Sequence, residues 1–207
     1  METIKTTSVT LAVVALTCLT VTNSAIAKSA YAITDHHAST LKAYRIIDDE
    51  LEYQEDVNVI DYATGAVDVT IDSNLELLFI TYEDAGKIVW ANAKTLQQEG
   101  YIDLSQPPYN ADELAGIVAD ETKQRVYVVE RDRDKLYILA WDNDKKELVL
   151  MDPNDPNQPY SQGDPYVVLE GLSTDGAWGI ALDENTSRLY VANNTDNVHI
   201  YDADDPN

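Results

Sequence analysis

The sequence predicts an all-β protein made of four-stranded antiparallel β-propeller blades, about four of them, in a ring that is partial or incompletely closed. Three observations carry this. A unit of strand, polar loop and strand recurs along the chain, an Asp-closed apolar strand precedes three of those units, and no long helical period interrupts them.

The recurring unit is a short apolar run led by an aromatic, then a polar loop, then a second alternating run. It reads Tyr31-Ala-Ile-Thr-Asp-His-His with Leu41-Lys-Ala-Tyr44, Phe79-Ile-Thr-Tyr-Glu-Asp with Ile88-Val-Trp90, Tyr127-Val-Val-Glu-Arg-Asp with Leu136-Tyr-Ile138, and Tyr190-Val-Ala-Asn-Asn-Thr with Val198-His-Ile-Tyr201. The leading aromatics are 48, 48 and 63 residues apart. Val67-Asp-Val-Thr-Ile-Asp72, Gly116-Ile-Val-Ala-Asp120 and Gly179-Ile-Ala-Leu-Asp183 come just before the later three units. Runs rich in Tyr, Val and Ile, bounded by Asp, Asn and Gly, are strand and turn signals. A unit of roughly 40 to 50 residues holding four short strands has the dimension of a propeller blade.

These units place blades at approximately 28–61, 66–105, 115–170 and 177–207. The longer third interval is assigned to a Pro-, Asn- and Asp-rich insertion at 151–165, read as a surface loop. The first blade then starts at its second strand and the last stops after its third. Blades bury their faces on neighbours, so the expectation is a piece of a larger ring, or self-association through open blade edges. A compact four-bladed ring is the remaining alternative.

Upstream, residues 1–27 have the layout of a secretory signal peptide: Lys5 early, an apolar run from Val9 to Val21, then Ala25-Ile-Ala27 as the cleavage site. Cleavage removes Cys18, the only cysteine, and with it any disulfide or thiolate chemistry. The product is expected to be secreted, periplasmic or on the cell surface, with no membrane insertion after cleavage. Over 207 residues, Lys+Arg 14 against Asp+Glu 37 gives a net charge of -23, which excludes a basic patch for nucleic acid.

Gly179-Ile-Ala-Leu-Asp183 followed by Arg188-Leu-Tyr-Val-Ala-Asn193 resembles the YVTN-type and NHL-like β-propeller repeats, in which an Asp turn precedes a Leu-Tyr-Val-Ala-Asn strand. The resemblance is fullest in the last repeat and weaker where Phe79-Ile-Thr and Tyr127-Val-Val stand instead. It implies a propeller and little about activity, since such rings host binding modules, scaffolds and enzymes.

In a propeller the loops between second and third strands share a face with those joining one blade to the next. That face is expected to carry His36, His37, Tyr82, Glu83, Asp84, Tyr109, Glu130, Arg131, Asp132, Trp178, Asn193, Asn194 and Asp196. Their chemistry suits a protein partner or a polar or cationic small molecule. Calcium, through Asp132 and Asp134, is the one metal the composition suits, although neither the EF-hand glycine nor its distal Glu follows. Asp72, Asp120 and Asp183 recur at one repeat position and are read as turn caps. No serine elbow, phosphate-cradling glycine loop or His-Glu-x-x-His is present. The leading expectation is therefore a non-catalytic binding or cell-surface assembly module. The alternatives are a calcium-assisted propeller hydrolase or lactonase and a structural subunit of a filament or surface layer.

Overall fold

The computed structural model describes residues 28–35, 40–47, 50–57, 65–169, 176–193 and 197–205. The signal-peptide segment, His36, His37, Asn194 and Asp196 lie outside the described residues. Among the described residues sixteen strands form four antiparallel sheets. The first holds β1 (Lys28–Asp35), β2 (Thr40–Ile47) and β3 (Glu50–Val57). The second holds β4 (Ala66–Asp72), β5 (Leu77–Tyr82), β6 (Lys87–Asn92) and β7 (Gln98–Asp103). The third runs through β8 (Leu114–Asp120), β9 (Arg125–Glu130), β10 (Lys135–Asp142), β11 (Glu147–Asp152) and β12 (Asp155–Pro159), with β13 (Val167–Val168) also on β10. The fourth holds β14 (Ala177–Asp183), β15 (Arg188–Asn193) and β16 (Val198–Asp202).

The sheets stack as propeller blades. Their first strands form an inner column, β4 beside β8 and β8 beside β14. β1 packs on β4 as β5 packs on β8 and β9 on β14, which puts β1 in the second-strand position of its blade. Among the described residues the first and last sheets do not pack on each other, so the four blades do not close on themselves.

The insertion is not a plain loop. β10 pairs β11 along its second half and β13 along its first, so two short strands share the place of one outer strand. Between them, β12 folds back on β11 at Met151↔Pro159 and Asp152↔Asp155. Pro156 and Pro159 lack a backbone N–H, which an edge strand tolerates and an inner one does not.

Three apolar layers lie between the sheets. Ala43, Val69, Ile80 and Val89 belong to the first, Phe79, Trp90, Val128 and Trp141 to the second, and Tyr127, Ile138, Leu189 and Val191 to the third. Burying a side chain of this size contributes about 1.5–3 kcal/mol, so the layers hold the arc together. In the second layer Trp141 meets Trp90 and Phe79 edge-on, with ring centroids 5.7 and 6.2 Å away.

Polar bridges add register between blades. Asp68 accepts from the Ile117 N–H at 3.0 Å, Thr70 from the Ala119 N–H at 3.2 Å, and the Thr81 hydroxyl donates to the Ala115 carbonyl at 2.7 Å. On the face away from the candidate site, Asp72, Asp120 and Asp183 cap the turns from first to second strand, as their recurrence predicts. The residue after each Asp extends this. Glu121 accepts from the Ser73 N–H of the preceding blade, and Glu184 accepts from the Glu121 N–H and the Thr122 hydroxyl. No described helix is long and apolar enough to cross a membrane.

Candidate active site at the blade junction

The turn between β9 and β10 begins at Arg131, and its backbone N–H donates to the Glu113 carbonyl at 2.8 Å. One repeat earlier, the Glu83 N–H donates to the Gly65 carbonyl at 2.8 Å. The same bond thus sets each second-to-third-strand turn over the entrance to its blade's inner strand. Gly176 fixes the Arg131 turn from the next blade: its φ is +76°, and a Cβ there would lie 2.2 Å from the Arg131 carbonyl oxygen. Only glycine permits that approach.

The Arg131 guanidinium gathers groups from three blades. Nη1 donates to Glu83, Nη2 to Glu113, and Nε to Asp132 at 3.1 Å. Trp178, at the start of β14, brings its ring centroid to 4.7 Å from the guanidinium carbon. One cation therefore stands among three carboxyls, with a half-exposed indole against it. Glu113 and Asp132 share that guanidinium, and their interaction with each other splits them. With partial burial, it raises Glu113 above the usual carboxylate range. The same interaction, with that from Arg131, holds Asp132 below it. Of the two, Glu113 is the one that holds a proton more readily, and Asp132 the one that ionises first.

Beside this cluster a second network locks the turn. Glu130 is fully buried and is the acceptor for the Tyr137 hydroxyl at 3.1 Å and the Asp112 N–H at 3.3 Å, with Lys135 at 3.4 Å and Arg133 at 3.7 Å. Burial, then the Glu130 charge, pushes the Tyr137 phenol up. Arg133 donates to the Asn110 carbonyl at 2.8 Å and to Asp112 at 3.2 Å. Glu130 is thus a structural anchor, not an open ligand group.

Of the residues expected on this face, Glu83, Arg131, Asp132 and Trp178 meet in one place. Tyr82 does not reach it, because its ring is buried in the layer between the first two blades. Asp84 folds back over Gly65. Tyr109 packs toward Tyr160, at 6.5 Å between centroids, and its carbonyl faces the Tyr137 hydroxyl at 3.4 Å. Asn193 accepts from the Asn197 N–H at 3.3 Å and shapes its own turn. Glu113 was absent from the expected set. Its signal is position alone, the residue just before an inner strand and next to Asp112.

Calcium does not fit the cluster, because the guanidinium already occupies the cation position between Glu83, Glu113 and Asp132. Asp134 neighbours Tyr201 instead, whose phenol its charge helps to raise after burial. Among the described residues no group of three or more His, Cys, Asp or Glu could hold a metal ion.

No family model and no curated protein matches the chain. Solved structures do. A candidate 6-phosphogluconolactonase from Bacteroides uniformis is similar with a TM-score of 0.61 at 16% identity, over 84% of this chain and 47% of that one. A protein from Lactobacillus plantarum gives 0.62 at 19%, over 84% and 48%. A periplasmic gluconolactonase from Pseudomonas aeruginosa gives 0.56 at 14%, over 86% and 48%. The chain thus spans about half the length of these structures, and the likeness establishes the propeller-type fold. The leading expectation of a non-catalytic binding or assembly module is corrected by these neighbours, two of which are named for lactonase activity, in favour of the lactonase alternative.

Proposed function

We propose that the protein hydrolyses a sugar lactone at the Arg131 cluster. The observation that carries this reading is the pair of carboxyls, Glu113 and Asp132, held against one guanidinium at a blade junction and shifted in opposite directions. Asp132, ionised, takes a proton from water as its oxygen bonds to the lactone carbonyl carbon. Arg131 faces the oxygen on which negative charge builds. The ring C–O bond then breaks, and Glu113 gives its proton to the departing alkoxide. Asp132 then hands its proton back to Glu113, its neighbour on the same guanidinium, and the product acid ionises into water. The indole of Trp178 offers the sugar ring an apolar platform.

The finer assignment to the YVTN-type repeats rests on Gly179-Ile-Ala-Leu-Asp183 and Arg188-Leu-Tyr-Val-Ala-Asn193. Export to the periplasm or beyond is supported by the layout of residues 1–27 and by the periplasmic neighbour. The test is acid release from gluconolactone in a pH-stat, against its spontaneous hydrolysis. Enzymatic release that falls by about a hundredfold or more in Glu113→Gln is expected. A rate equal to the spontaneous one sinks the reading.

A further inference from the structure

The third sheet departs from its neighbours at two linked positions. The last residue of a second strand is opposite the first residue of its inner strand: Tyr82 opposite Ala66, Glu130 opposite Leu114 and Asn193 opposite Ala177. Just before those inner strands come Gly65, Glu113 and Gly176 in turn. Gly65 and Gly176 have φ of +104° and +76°, a backbone that a glutamate side chain disfavours. In the third sheet the left-handed residue falls earlier, at Asn110 with φ of +51°. Glutamate thus stands where the neighbouring sheets have glycine, and a second glutamate where they have tyrosine and asparagine.

The second glutamate holds the path of the first. Glu130 Oε1 accepts from the Asp112 N–H at 3.3 Å and has Arg133 Nη1 at 3.7 Å, while Oε2 accepts from the Tyr137 hydroxyl at 3.1 Å and has Lys135 Nζ at 3.4 Å. Around it Arg133 donates to the Asn110 carbonyl at 2.8 Å, and the Arg131 N–H to the Glu113 carbonyl at 2.8 Å. Residues 110–113 are therefore carried by the β9–β10 turn, and they deliver the Glu113 carboxyl to Arg131 Nη2. Burying a carboxylate is costly even when it is paired, and the equivalent positions of the second and fourth sheets do without one. It stands in the one sheet that also carries Glu113, Arg131 and Asp132.

We propose that Glu130 is a positioning residue for the candidate site: by holding the Asp112 N–H it sets Glu113 against Arg131 and Asp132. Its part in turnover rests on the lactonase reading of that cluster; its hold on Glu113 does not. Released, Glu113 would draw back from Arg131 and Asp132 together and titrate nearer the ordinary carboxylate range.

The experiment, on the full chain, compares Glu130→Met, which keeps the volume and removes both acceptors, with Glu130→Gln, which keeps one carbonyl oxygen for the Asp112 N–H. Gluconolactone kinetics are measured beside two readouts that need no turnover, the carboxyl carbon-13 titration of Glu113 and the hydrogen exchange of the Asp112 amide. In Glu130→Met kcat should fall about thirtyfold with KM within about twofold, the Glu113 titration should move down toward the ordinary range, and the Asp112 amide should exchange about tenfold faster or more. Glu130→Gln should stay within about threefold of the wild type in each. Should Glu130→Met fail to fold, Glu130→Met with Lys135→Met leaves no buried ammonium facing a lost partner and is read in the same way. Shifted Glu113 and Asp112 readouts in a chain that does not hydrolyse gluconolactone support the hold on Glu113 and remove the lactonase reading alone. An unchanged Glu113 titration or kcat in Glu130→Met, or a Glu130→Gln variant as impaired as Glu130→Met, overturns the proposal.

Discussion

The guanidinium carbon of Arg131, in the third sheet, sits 4.7 Å from the ring centroid of Trp178, in the fourth, so one cation–π contact spans a blade boundary at the candidate site. Such a contact is worth about 1 kcal/mol when partly desolvated. Trp178→Ala is expected to lower the thermal midpoint by about 2–4 °C and, with the platform for the sugar ring gone, to raise KM for gluconolactone about fivefold. Trp178→Phe should recover most of the loss. Steady-state kinetics beside a melting curve separate the two effects.

The Glu113–Asp132 pair predicts the pH profile. Asp132 must be ionised and is held below the ordinary carboxylate range, while Glu113 must be protonated and is held above it. The rate should therefore rise at unusually low pH and fall as Glu113 loses its proton, giving a bell that belongs to the pair. Glu113→Gln should abolish the descending limb. A descending limb unchanged in that variant removes Glu113 from the acid role.

Substrate charge should matter as well. Around the cluster Arg131 is matched by Glu83, Glu113 and Asp132, Arg133 by Asp112 and Glu130, and Lys135 by Glu130. A phosphorylated lactone would meet these carboxylates without a spare cation. We expect kcat/KM for gluconolactone to exceed that for its 6-phosphate by about tenfold or more, with the gap narrowing as salt is added. Parallel assays at two ionic strengths check both parts.

Asp68 carries a stability prediction. Burial raises its pKa from 3.8 to about 6, despite the N–H donors of Ile117 and Val69. The folded state thus favours the protonated form. Its contribution is fully present below 3.8 and is lost as pH rises through about 6. Asp68→Asn keeps an acceptor for Ile117 and removes the charge. It should add on the order of 2 kcal/mol at neutral pH and flatten the stability curve across that window, as read by denaturant titrations at several pH values.

Gly176→Ala would place a methyl 2.2 Å from the Arg131 carbonyl at a φ of +76°. A loss of about 3 kcal/mol is expected, with the midpoint of urea unfolding lowered at constant slope. Activity should fall with it, because the same contact seats the catalytic turn.

Much of the architecture is legible in the sequence because a propeller repeats its constraints. Phe79, Tyr127 and Tyr190 share one register, and the Asp caps at 72, 120 and 183 share one turn. The β12 hairpin was hidden because Pro156 and Pro159 read as breakers, and only pairing at an edge reconciles them with a strand. Polar loops could be placed on one face by topology alone. Topology says nothing of depth, so Tyr82 and Glu130 look like Glu83 and Arg131 until packing sends the first two inward. Glu113 has no motif, since its role exists only when the turn of its own blade folds back over it.

The relay on the opposite face gives the chain a grammar. Each carboxylate that reaches from Glu121 to Ser73, or from Glu184 to Glu121, is encoded in the later unit and grips the earlier one. A cassette copied or spliced downstream would carry its own latch and ask only for a free amide upstream. Ser73 stands where a latch would be, and among the described residues the sheet before it shows no inner strand for one to seize.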